Sequence, residues 1–188
     1  MTMNREELAV AVRAGRRFEY LFFWGHTPRA DGEVDASCLS QWYPASFVVE
    51  GVRYLTAEHF MMAEKARLFG DLKKLAAILE AATPRDAKAL GRKVSPFDQT
   101  LWNDRCVDVV VRGNVAKFGA DERLRSFLLS TGEKVLVEAS PRDTVWGIGL
   151  GRDNPKARDP SQWRGRNLLG FALMEARTRL RSKDLPSV

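Results

Sequence analysis

The chain has 188 residues, 45% of them hydrophobic and 29% charged, a balance that fits one globular domain and excludes wholesale disorder. Its 30 basic and 24 acidic side chains leave +6 at pH 7, but residues 1–17 carry +2 of this, residues 164–188 carry +4, and residues 18–163 hold twenty of each sign. A uniformly basic nucleic-acid-coating surface is therefore a poor description of the middle of the chain.

In chain order, residues 5–17 can form a short amphipathic helix, an appendage to a domain spanning 18–188. Phe18–Trp24 is aromatic-rich and reads as a buried strand. Gly25–Leu39 reads as a long loop. Phe47–Glu50 and Val52–Leu55 flank Gly51 as a hairpin. Helical patterning then takes over. Thr56 caps a run to Phe69, stopped by Gly70. Asp71 caps Leu72–Ala82, and Thr83-Pro84 opens a third helix reaching Gly91. Asp98 opens Gln99–Lys117, and Asp121–Ser130 follows. Lys134–Ala139 alternates like a half-buried strand. Asp143–Trp163, with its glycines and prolines, reads as loop, and Arg166–Arg181 as the last helix. Helices outnumber short, scattered strands, which predicts an α+β fold: a single helix-rich domain with a small β component.

Cys38, Cys106, His26 and His59 form no CxxC or HxxxH pair, so a zinc site is not expected and the thiols read as reduced. No signal-peptide core and no apolar run near 18 residues is present, which predicts a cytoplasmic protein without membrane attachment.

Four groups of residues can carry chemistry. Glu58, Met61, Met62 and Lys65 share a helix face, with Glu58 and Lys65 about 10 Å apart along the axis. The same spacing also describes an ordinary helix with an acid at its positive end. Lys88 and Arg92, at i and i+4, can share a phosphate or form a solvated basic face. Glu138 ends a strand and is followed by Asp143, Trp146 and Gly147 in a loop. There the acids can converge on a pocket and the indole can stack on a base, or Asp143 can simply bond nearby amides. Finally, Gly165 and Asn167 open the last helix, whose free amides suit an anion. Trp102 and Lys117 read as core or helix-surface positions on periodicity alone.

In order along the chain, the segments YLTAEHFMMAEKARLFGD, PRDAKALGRKV, FDQTLWNDR, NVAKFGADERLRSFLLSTGEKVLVEASPRDTVWGIGL and WRGRNLLGFALMEARTRL closely resemble the NADAR/YbiA-like family, from about Tyr20 to Leu180. The resemblance implies a helix-rich α+β fold and N-glycosidase chemistry without a cofactor. It implies as substrate either a phosphoribosylamino-pyrimidine intermediate of riboflavin synthesis or ADP-ribose on modified guanine in nucleic acid. The family positions it carries over are Glu58, Lys65, Lys88, Arg92, Trp102, Lys117, Glu138, Asp143, Trp146, Gly147 and Asn167. One departure is Gln41, where many relatives have Asn, so substrate contacts there are expected to differ.

Breaking C1′–N develops positive charge on the sugar and electron density on the departing nitrogen, which asks for a carboxylate and a proton donor. Glu58 and Asp143 are the expected pair, with Glu138 in reserve. A lysine Schiff base is a second route, through Lys65 first and Lys88 second. Lys88, Arg92, Trp102, Glu138, Trp146, Gly147 and Asn167 are expected to bind substrate. A non-catalytic ADP-ribose or nucleotide reader, and a nucleic-acid binder using the basic ends, are the competing classes. Three acids would serve a pure phosphate reader poorly.

Overall fold

A computed structural model describes residues 3–182, so the outermost parts of the two basic ends lie outside the described residues. Among the described residues, seven α-helices and four short strands make up the regular structure: α1 (Arg5–Arg13), β1 (Tyr20–Phe23), β2 (Phe47–Val49), β3 (Val52–Tyr54), α2 (Ala57–Leu68), α3 (Leu72–Leu79), α4 (Pro84–Gly91), α5 (Gln99–Gly119), α6 (Glu122–Ser130), β4 (Val135–Glu138) and α7 (Leu168–Ser182). The class is α+β.

The helix starts follow local chemistry. Thr56, Asp71, Thr83, Asp98 and Asp121 each accept a hydrogen bond from a first-turn amide, satisfying donors that a helix leaves open. Asn4 and Glu7 do so reciprocally at α1. The β2–β3 hairpin turns at Glu50 and Gly51, both at positive φ, which suits the twist of a tight hairpin.

Three boundaries differ from expectation. α1 stops at Arg13, two residues before Gly15 at φ 87°. The expected loop segments contain 3-10 turns at Ala36–Leu39, Pro155–Arg158 and Pro160–Gln162. They are stabilised by Asp35, Asn154 and Asp159, whose side chains accept nearby amides. α7 begins at Leu168 because Asn167 sits at φ 55° and bonds a strand instead.

β1 and β4 pair in parallel, with Phe23 opposite Glu138. Parallel strands need cover on both faces, and β4 has it. Leu136 enters the larger core with Phe60, Val110, Phe118 and Leu173. Val135 and Val137 enter a second cluster with Leu8, Ile148, Trp163 and Phe171. Leu8 is fully buried there, so α1 packs into the body of the fold rather than hanging from it as an appendage. α7 lies close on β4: a Cβ added at Gly170 would stand 2.0 Å from the Leu136 carbonyl oxygen. No helix among the described residues is long and apolar enough to cross a membrane.

Candidate active site

The carboxyl ends of β1 and β4 open side by side, the usual place for a ligand beside a parallel sheet. A cavity of about 410 Å³ sits there. Phe23, Trp24, Gly25 and His26 reach it from β1, Glu138, Ser140 and Asp143 from β4, Ser40 and Trp42 from the loop before β2, and Lys88 from α4. A larger pocket of about 930 Å³ shares His26 and Trp42 with it and runs between the starts of α2 and α4.

Glu58, in the first turn of α2 and 2% exposed, does not line this cavity but feels the charges of residues that do. Burial pushes its carboxyl up to about 7. The Lys88 charge, a hydrogen bond from the Trp42 side chain and the Arg92 charge oppose that rise, while the Asp143 charge adds to it. Glu138 is pushed up to about 8, by burial first and then by the charge of Asp143, with Lys88 opposing and Glu58 adding. The two glutamates and Asp143 therefore act on one another electrostatically. Glu58 Oε1 and Glu138 Oε2 are both buried without a hydrogen-bond partner. Buried carboxyl oxygens left open in this way are costly in the free protein, and of the two residues Glu138 lines the cavity.

Asp143 both shapes its loop and lines the cavity. Its Oδ1 accepts the amides of Val145 at 2.9 Å, Trp146 at 2.7 Å and Gly147 at 3.5 Å. That is the local Asx turn, and it fixes the loop while Asp143 still lines the cavity. Its contribution there is a held negative charge.

The other expected residues divide clearly. Lys88 faces the cavity, and its ammonium lies 5.7 Å from the Trp42 ring centre. Arg92 is exposed one turn further along α4. Lys65 does not line either pocket: its ammonium sits 4.1 Å from the Phe97 ring centre and 5.6 Å from that of Trp102. Burial lowers its pKa, and no carboxylate is among the causes. Trp102 thus sits beside Lys65, and neither lines the two pockets. Trp146 packs against the larger core.

Asn167 is fully buried. Its Oδ1 accepts the Glu138 amide and its Nδ2 donates to the Leu136 carbonyl, both at 2.9 Å. It ties α7 to β4 and so holds Glu138, a positioning role rather than contact with an anion. At Gly147 a Cβ would stand 2.9 Å from the Glu138 carbonyl oxygen, so glycine is needed there for loop-to-strand packing. Gln41 is also internal: its Oε1 accepts from Asn114 at 2.9 Å and its carbonyl accepts the Glu58 amide at 3.0 Å.

Trp42 and His26 were not expected at the site. Their rings lie 5.4 Å apart and wall both pockets. The available signal was an indole in a polar loop, next to the Gln41 departure. Among the described residues, no three His, Cys, Asp or Glu side chains are grouped to hold a metal.

The NADAR domain model matches residues 22–181. An N-glycosidase of Acanthamoeba polyphaga mimivirus is 40% identical over 164 residues, covering 85% of this chain and 95% of that protein. N-glycosidase YbiA of Escherichia coli is 32% identical over 132 residues, covering 70% of this chain and 74% of its own length. A riboflavin biosynthesis protein of Vibrio vulnificus is 31% identical over 142 residues, but only 35% of it is covered. The solution structure of Escherichia coli YbiA superposes with a TM-score of 0.72 at 26% identity, over 92% of this chain and 91% of that one. With the fold, the matched span and these relatives in agreement, the chain belongs to the NADAR domain family.

Proposed function

We propose that the protein is an N-glycosidase that hydrolyses the C1′–N bond of a phosphorylated N-glycoside. The observation that carries this reading is one cavity lined by Glu138, Asp143 and Lys88, with the buried Glu58 coupled electrostatically to all three and a carboxyl oxygen of each glutamate left without a partner. Two carboxyl groups with different proton affinities divide acid and base work. Glu138, the higher of the two, gives its proton to the base nitrogen as the C1′–N electron pair departs with the base. The Glu58 and Asp143 carboxylates stabilise the positive charge on the sugar. Water then adds to C1′ and passes its proton to Glu58, and exchange with solvent restores both glutamates. Lys88 and Arg92 hold phosphate, and Trp42 with His26 offers flat surfaces to the base. The larger pocket beyond them leaves room for the rest of a bulky substrate.

The substrate is of one of two kinds: a phosphoribosylamino-pyrimidine, or ADP-ribose attached to guanine in nucleic acid. Purified protein given each side by side should release ribose 5-phosphate from the first or ADP-ribose from the second. Binding of both without release of either would make the protein a reader.

The Lys88 amine lines the cavity and offers a second, covalent route. Opening of the sugar to an imine, attack by that amine and loss of the base would leave a Schiff base for water to hydrolyse. Borohydride added during turnover should leave no sugar adduct if hydrolysis is direct. A reduced adduct on Lys88, located by peptide mass spectrometry, would replace the direct route with the covalent one.

A further inference from the structure

Lys117 is 1% exposed at the middle of the fold and takes no part in the chemistry above. Its ammonium donates to the Cys38 carbonyl at 2.6 Å and the Ser40 carbonyl at 2.8 Å. The rings of Tyr43 and Phe118 lie beside it, 5.6 Å and 4.9 Å to their centres. Its pKa is lowered to about 7 by burial, opposed by the Cys38 thiol. Burying an ammonium without a carboxylate is expensive, and an apolar residue of that length would cost the fold less. What the ammonium adds is a specific path for the backbone of residues 38–40.

One turn earlier on α5, Asn114 Nδ2 donates to Gln41 Oε1 and to the Val110 carbonyl, both at 2.9 Å. The loop held by these two side chains continues directly to the site. The Gln41 carbonyl accepts the Glu58 amide at 3.0 Å and Ser40 Oγ accepts the Trp42 amide at 3.2 Å, and the Trp42 side chain lies close enough to the Glu58 carboxyl to oppose the rise in its pKa.

We propose that Lys117 and Asn114 are positioning residues that hold Trp42 against the Glu58 carboxyl through the backbone of residues 38–42. Its catalytic consequence rests on the N-glycosidase reading; its structural content does not. The groups facing Glu58 are Trp42 from the loop, Lys88 and Arg92 from α4, Asp143 from the loop after β4, and Glu138 from β4. An indole N–H favours the ionised carboxylate, so losing it moves the Glu58 titration to higher pH.

The test is a ¹³C carboxyl titration of Glu58 in the full chain, which needs no substrate. Lys117→Met and Asn114→Ala should each raise its midpoint by half a pH unit or more, as should Trp42→Phe. Adding Lys117→Met to Trp42→Phe should move it no further, which separates loss of the indole from loss of a distant charge. On any N-glycoside that the wild type turns over, kcat should fall tenfold or more with KM changed less. A folded Lys117→Met protein with an unmoved Glu58 midpoint, whatever its melting temperature, would overturn the proposal. If that variant does not fold, an unmoved midpoint in Asn114→Ala overturns it. Absence of turnover in the wild type would count against the glycosidase reading alone.

Discussion

Glu138→Gln is expected to lower kcat by roughly 100- to 10,000-fold, the range for losing a positioned general acid, with KM changed much less. The amide keeps the shape of the side chain, and Asn167 still bonds the residue 138 backbone, so the loss should be chemical. The pH dependence gives the second half of this result. Glu58 lies near 7 and Glu138 near 8, and kcat/KM of a free enzyme reports such groups. The profile should be a narrow bell. It rises as Glu58 ionises and falls as Glu138 loses its proton, the two limbs belonging to the coupled pair. Glu58→Gln should remove the acid limb and most of the rate. Stability should move the opposite way. A carboxyl whose pKa is higher folded than unfolded loses stability as pH rises from its unfolded value, near 4.5, to its folded value, near 7. At pH 9 Glu58→Gln should therefore melt above the wild type, and at pH 4 the two should nearly coincide. Wild-type turnover in Glu138→Gln, measured as base release, would remove Glu138 from the mechanism.

Gly170→Ala is expected to destabilise the protein although it places a better helix former inside α7. The helix propensity gained is about 1 kcal/mol. The methyl group, however, would stand 2.0 Å from the Leu136 carbonyl oxygen and 2.5 Å from Asn167 Nδ2. Neither is free to give way, because the carbonyl belongs to β4 and the amide is bonded to it. Forcing α7 off the strand should cost about 3 kcal/mol gross and about 2 kcal/mol net, a fall in melting temperature of about 4–8 °C for a domain of this size. Because the displaced helix carries Asn167, turnover should fall as well. Melting at or above the wild-type temperature would show that β4 and α7 can separate at little cost.

The helices were legible because their starts are chemically local. A Thr or Asp that accepts its own first-turn amide is readable without knowing the tertiary fold. The parallel pairing of β1 with β4 was not, since more than a hundred residues separate the strands and no nearby turn records their register. The same division holds at the site. Glu58, Glu138, Asp143 and Lys88 could be selected as residues, and the fold brings them together. Lys65 could not be separated from them on a helical wheel, because two turns along α2 lead it to Phe97 and Trp102. Asn167 resembled an anion ligand at a helix start, yet its amide is spent on β4. Trp42 remained hidden because its role depends on Lys117 and Asn114, which lie some seventy residues away.

The four residues of β4 are the seam between two apolar clusters, Leu136 facing one and Val135 with Val137 the other, and they end in Glu138. Neither cluster can melt alone without exposing the other through that strand. The protein should therefore lose both clusters and the placement of Glu138 in one cooperative transition. In urea, intrinsic fluorescence, helical circular dichroism and residual turnover should share a single midpoint.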